Sequence, residues 1–162
     1  MKLALLVLAG AAVCSPARAD DFASHLSPAP VTDGTRAAIT GSGHVTAGLQ
    51  GGNLTVSGAF QGLASNATTG ELRSGNGIGV PGPKLFDITV TPAREGTISG
   101  TVVLNADQRA LLRRGHVYVQ IDSQGAPGGN LQGWLLPPHP FAGEDVPVKG
   151  HGFLPQLDVP QQ

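Results

Sequence analysis

Residues 105–136, NADQRALLRRGHVYVQIDSQGAPGGNLQGWLL, decide the fold, because the hydrophobic pattern changes inside them from a helical to an alternating period. Asn105 reads as an N-cap with Gln108 three residues on. Ala110, Leu111 and Leu112 favour helix, Arg113 and Arg114 suit its negative end, and Gly115 provides a left-handed stop. This predicts a helix of about two turns. From His116 the side chains alternate, with Val117, Val119 and Ile121 on one face and His116, Tyr118, Gln120 and Asp122 on the other. Residues 123–129, with Gly125, Pro127, Gly128 and Gly129, reverse the chain. Leu131, Gly133 and Leu135 then alternate with Gln132, Trp134 and Leu136. The expectation is a β-hairpin whose loop is longer than the tight two-residue type.

Working toward the N-terminus, residues 96–104 and 85–91 are strands of good alternation. Ile98, Gly100, Val102 and Leu104 share one face of the first, and Phe86, Ile88 and Val90 one face of the second. Residues 36–49 and 53–63 form an earlier hairpin around Gly51 and Gly52, with Ala37, Ile39, Val45 and Ala47 on one face and Leu54, Val56 and Phe60 facing them. Residues 21–27 make a short strand ended by Pro28 and Pro30, which suits an edge. No strand is read over residues 64–83, and turn geometry accounts for the Gly-rich run SGNGIGVPG within them. With 24 glycines, 13 prolines and 13% charged residues, composition points away from a helical protein and toward many short strands.

The ends differ from this middle. Lys2, an apolar run over residues 3–13 and Ala17-Arg18-Ala19 have the layout of a secretory signal peptide cleaved after Ala19, so the mature chain is expected to begin at Asp20 and to be secreted or periplasmic. A lipoprotein anchored at Cys14 is the competing reading, with Val13 bulky where a small residue belongs. The apolar run is short of the about 20 residues that a spanning helix needs, so no transmembrane segment is expected. Cys14, the one cysteine, leaves with the leader, and with it disulfide and thiol chemistry. Net charge is −1 and falls further once Lys2 and Arg18 are removed, which gives no footprint for nucleic acid. Residues 137–162 carry six prolines among them and read as a tail outside the domain, which spans residues 20–136.

The hairpin residues resemble a known family. Val117-Tyr118-Val119-Gln120-Ile121-Asp122-Ser123, followed by Pro127-Gly128-Gly129-Asn130-Leu131-Gln132-Gly133-Trp134-Leu135, is similar to the L-Y-V-N-V-H-T and P-G-G-E-[IL]-R-G-x-[IL] patterns of the CHRD (chordin-type) domain. By that likeness the chain is a divergent, secreted, bacterial-type member in which Tyr118, Pro127, Gly128, Gly129, Leu131 and Gly133 keep the structural motif. The polar positions depart, with Asn130 for the family's Glu, Gln132 for its Arg and Asp122 for its His. Upstream, Asn66-Ala67-Thr68-Thr69-Gly70-Glu71 falls where members carry A-H-I-H-G-P, so Ala67 and Thr69 occupy the two histidine places. Histidines two apart on a strand point to one side and, with a third from the next strand, suit a metal. Ala67, Thr69 and Asp122 do not.

No other constellation carries chemistry. His25, His44, His116, His139 and His151 lack i,i+2 or i,i+4 ligand spacing and read as solvent-facing, with His44 and His116 the pair that a sheet can bring together. The serines have no G-x-S-x-G setting. Asp107 fits the first turn of the helix and Asp122 a strand end, leaving Asp87 as an isolated carboxylate. SGNGIGVPG and QGAPGG lack the strand-to-helix order and the following Lys-Ser/Thr pair of phosphate loops. Catalytic residues, metal ligands and cofactors are therefore not expected. Trp134 has two readings, packing beneath the tail or the helix, and an anchor for a partner.

The expected architecture is an all-β, two-sheet Greek-key sandwich of the immunoglobulin-like or superoxide-dismutase-like kind, with one short helix before the last hairpin. The expected function is an exported, non-catalytic module, a binding or structural protein of the envelope or extracellular space that engages an unidentified protein or cell-surface component. The alternative is a metal-binding redox or metal-carrier protein related to copper-zinc superoxide dismutase.

Overall fold

The computed structural model describes residues 19–137. The order along the chain is β1 (Asp20–Pro28), β2 (Ser42–Gln50), β3 (Asn53–Gln61), β4 (Ala67–Gly77), β5 (Val80–Val90), β6 (Gly96–Val103), α1 (Ala106–Arg113), β7 (Val117–Ser123) and β8 (Ala126–Trp134). The expected all-β chain with one short helix before the last hairpin is present. The cleavage site and the tail, apart from Pro137, lie outside the described residues.

The strands close into one barrel in the order β1-β2-β3-β6-β5-β4-β7-β8, in place of the two separate sheets of a sandwich. Closure depends on two short seams. β1 meets β8 through Ser27 with Gln132 and Pro28 with Leu131, and β5 meets β6 through Thr89 with Ser99 and Val90 with Ile98. A further bridge joins Ala23 to Leu136. β1 is consequently paired on both sides rather than being an edge. Alternation says which side of a strand is buried but not which distant strand meets its end, so these few pairings left no mark in the periodicity.

Inward rows fill the barrel as the alternation requires. Phe22 and Leu26 of β1, Val45, Ala47 and Leu49 of β2, and Leu54, Val56 and Phe60 of β3 share a core with Leu72, Ile98, Val117, Val119, Ile121 and Leu131. Each such leucine or valine, fully buried, contributes about 1.5–3 kcal/mol. The helix begins with the expected capping box: Asn105 Oδ1 accepts from the Gln108 backbone N–H at 2.9 Å, and Gln108 Oε1 accepts from the Asn105 N–H at 3.0 Å. It ends at Gly115, whose φ of 72° takes the left-handed region. Leu112 joins the core, and Arg113 Nη2 binds Asp20 Oδ2 at 2.9 Å, tying the helix end to the start of β1.

Three local expectations are corrected. Residues 36–41 are not strand: Ala38 and Ile39 donate to the Thr35 carbonyl at 2.9 and 3.0 Å, so turns satisfy this backbone locally. Residues 64–83, where no strand is expected, are mostly strand, because β4 and β5 form a long hairpin across them. Register shifts between Leu72 and Gly77 absorb the irregular glycines. Pro81 and Pro83 sit on the part of β5 with no β6 neighbour, where a missing N–H costs little. Finally, the β7–β8 turn is tight. Ser123 pairs with Ala126, so only Gln124 and Gly125 turn the chain while Pro127, Gly128 and Gly129 are strand, beside a register shift between Ile121 and Ser123.

Candidate functional site

β7 is buried on both of its faces. Val117, Val119 and Ile121 face the core as expected, yet the outward residues Tyr118, Gln120 and Asp122 are only 0%, 4% and 8% exposed. The cover comes from cross-strand neighbours. Arg73 on β4 and Trp134 on β8 flank Tyr118, and Glu71 and Gln132 flank Gln120. Long side chains directly opposed on adjacent strands lie against the row between them and shield it from water.

The first row is aromatic and charged. The Tyr118 and Trp134 rings lie 4.6 Å apart at centroids, tilted by 38°. Arg73 Nε donates to the Tyr118 hydroxyl at 3.0 Å and to the Gly82 carbonyl at 3.2 Å, while its Nη1 reaches Glu71 Oε2 at 2.6 Å. Partial burial alone lowers Arg73's proton affinity, but the bonds to Glu71 and Tyr118 outweigh it and hold the guanidinium above its ordinary value. Lys84 extends the row, bonded to Asp87 at 2.9 Å and 3.7 Å from Glu71. Chiefly through that bond to Asp87, its ammonium too is held above its ordinary value.

In the second row Glu71 turns toward Arg73, and the remaining polar groups gather on Asp122. Thr69 Oγ1 donates to Asp122 Oδ2 at 2.8 Å, Gln120 Nε2 donates to Asp122 Oδ1 at 2.8 Å, and Gln132 Nε2 donates to Gln120 Oε1 at 3.0 Å. Thr69 and Asp122, two of the places where the likeness puts histidines, are thus brought together across β4 and β7. Ala67 is not: it is buried in the core cluster, and the register shift between Ala67 and Gly70 breaks the alternation that would align it with Thr69.

The motif positions on β8 do structural work. Asn130, fully buried, donates Nδ2 to the Thr40 carbonyl at 2.9 Å and accepts the Thr40 N–H on Oδ1 at 3.3 Å, clamping the 33–41 turn against the barrel. A carboxylate only accepts, so an amide suits this double bond where a Glu does not. Leu131 fills the core and Tyr118 the outer row. Gly133 faces inward, where a Cβ would collide with Ser24 Oγ and the Leu26 side chain. Gly129 takes a φ of 128°, which leaves Gln120 and Gln132 room over it. Pro127 and Gly128 are exposed at the start of the strand.

Trp134 is half-buried and lies on Gly75, where a Cβ would strike the indole and the Val80 carbonyl. Nearby are exposed apolar side chains: Val80 at 51% at the start of β5, Ile78 at 54% in the β4–β5 turn, and Leu136 at 40% just past β8. Ile78 and Leu136 both approach Gly115. Trp134 therefore packs on the barrel wall itself, against the Tyr118 ring and over Gly75. Glu71, Arg73 and Lys84 were missed by the sequence reading. The signal was the run Glu71-Leu72-Arg73, polar-apolar-polar around a fully buried leucine.

His116 does not meet His44. It lies between α1 and β7, its N–H bonded to the Leu111 carbonyl at 2.9 Å, and His44 instead opposes His25. Among the described residues no group of three or more His, Cys, Asp or Glu side chains gathers at one point. Ser123 Oγ is a buried hydroxyl without a hydrogen-bond partner, and its neighbours across the strands are Ala67 and Ala126, which offer no base. Among the described residues no helix is long and apolar enough to cross a membrane.

A β-barrel carrying the P-G-G hairpin defines a class, and the comparison with known families agrees with it. The CHRD domain family matches residues 22–135, from the first core residue of β1 to just past the end of β8. The chain belongs to the CHRD domain family. No curated protein and no solved structure matches it.

Proposed function

We propose that this chain is an exported, non-catalytic CHRD module that binds a protein or cell-surface component through the outer face of β4, β7 and β8 around Trp134. The observation that carries this reading is a half-buried tryptophan stacked on Tyr118 and lying over Gly75 next to Val80, with exposed Ile78 and Leu136 converging over Gly115 on the same part of the wall. Aromatic anchors with fixed orientation beside apolar side chains are what protein interfaces concentrate at their centres. The platform loses little side-chain freedom on binding, since Tyr118, Arg73, Glu71, Gln120 and Asp122 are already tied to one another. Export is supported by the leader layout of residues 1–19. A non-catalytic role is supported by how the polar groups are spent: the Thr69 hydroxyl and the Gln120 amide both donate to Asp122, and Gln132 donates to Gln120, so each is engaged in holding the wall together.

The test is capture of components from an exported or envelope fraction on immobilised full-length protein, comparing wild type with Trp134→Ala, Ile78→Ser and Ser57→Ala. The reading expects a component retained by wild type and Ser57→Ala and lost by the other two. Equal retention by all four proteins, or no retention by wild type, sinks it.

A further inference from the structure

The outward row that starts on β1 holds a feature that the proposed binding face does not use. β1 and β2 pair so that His25 stands directly opposite His44. Their sequence neighbours Leu26 and Val45 are buried, so by alternation both imidazoles project outward, and both residues are exposed. Directly opposed residues in an antiparallel ladder have Cβ atoms about 4.5–5.5 Å apart. Two rings so placed can turn a nitrogen each onto one ion at the ~2.0–2.1 Å of a metal–imidazole bond. Among the described residues, no side-chain hydrogen bond or ion pair engages either ring.

The surroundings leave space for an ion. The residue beside His44 across the next strand is Ala59, and one row along Ser42 opposes Gln61. His25, Ser42, His44, Ala59 and Gln61 line one open groove, with a hydroxyl and an amide oxygen next to the two imidazoles. Imidazole donors select first-row transition ions over magnesium or calcium, which prefer oxygen, and the affinity order for such donors peaks at copper(II).

We infer that His25 and His44 form a two-imidazole surface site for a divalent transition ion, copper(II) in preference to nickel or zinc, with the remaining positions taken by water or by the Ser42 and Gln61 oxygens. The site is separate from positions 67, 69 and 122, and its existence does not depend on the Trp134 face.

Titration of the full chain, purified without a polyhistidine tag, with copper(II) tests this by equilibrium dialysis and electron paramagnetic resonance. The first equivalent is expected to show two nitrogen ligands. His25→Ala and His44→Ala are each expected to weaken it about 100-fold, as loss of one of two linked ligands does, and to leave one nitrogen. His116→Ala and the pair His139→Ala with His151→Ala are expected to change nothing. Unaltered copper affinity in His25→Ala or in His44→Ala, or loss of the first equivalent in the His139/His151 pair, overturns the inference. Both β1–β2 histidines are exposed, so circular dichroism of the variants is expected to match wild type, which separates lost binding from lost folding.

Discussion

The outer wall of the barrel is built in two ways. Along the middle of β2, β3 and β6 the outward row carries short hydroxyl side chains. Thr46 meets Ser57 at 3.2 Å and Thr55 meets Thr101 at 3.5 Å, and all four are exposed. On β4, β7 and β8 the outward row is long, aromatic or charged, and closes over itself until Tyr118, Gln120 and Asp122 are buried. The same ladder geometry underlies both walls, so side-chain length and pairing chemistry make the difference. Short hydroxyls remain hydrated and contribute little, whereas a row long enough to exclude water must satisfy every polar atom it covers. The second wall is therefore both a stability element and a preorganised surface.

The contrast breaks first at Tyr118. Tyr118→Ala removes a fully buried ring, leaves Arg73 Nε without its hydroxyl partner and strips Trp134 of its support, for an expected loss of about 3–5 kcal/mol in urea unfolding. Thr46→Ala on the opposite wall is expected to stay within about 0.5 kcal/mol of wild type. Equal losses from the two would show that the walls do not differ.

Asp122→Ala leaves the Thr69 hydroxyl and the Gln120 amide without their shared acceptor and is expected to cost about 1–3 kcal/mol. Asp122→Asn keeps one acceptor oxygen and is expected to lose less, by thermal or denaturant melting. An Asn variant as unstable as the Ala variant would show that the carboxylate's charge, rather than its two bonds, holds the row.

The smallest effect is at the charged margin. Lys84 titrates above its ordinary value when folded, so its contribution is fully present below the unfolded lysine pKa of about 10.4 and is lost as pH rises through the raised folded value. Lys84→Met is expected to be slightly less stable than wild type at neutral pH, with the gap closing on the alkaline side. A gap that widens with pH contradicts the assigned pairing with Asp87.

Much of one wall was legible before any coordinates. Asn105, Gln108 and Gly115 mark the helix because capping is local chemistry, and Val117, Val119 and Ile121 mark the inner row of β7 because alternation is local geometry. The burial of Tyr118, Gln120 and Asp122 was not legible, since alternation labels them outward and their cover comes from Arg73 and Trp134, 45 residues before and 16 residues after Tyr118 in the chain. The β4–β5 hairpin was hidden for a different reason. Pro81, Pro83 and the glycines around them break the alternation, and only the absence of a β6 neighbour makes them tolerable there. Of the site, Trp134 was visible as the chain's one tryptophan, while Glu71 and Arg73 lay in the 64–83 stretch, where no strand was expected, and Lys84 just ahead of the strand expected from Leu85.

The central claim is that binding happens on the closed, preorganised wall. Since the chain has one tryptophan, protein grown with fluorotryptophan carries a single fluorine label at Trp134, and its fluorine NMR signal reports that wall alone. On addition of the exported or envelope fraction that the immobilised protein captures, the signal is expected to shift or broaden, and to do so unchanged in a Thr46→Ala background. A signal that stays put while the component is bound would place the interaction elsewhere and contradict the account.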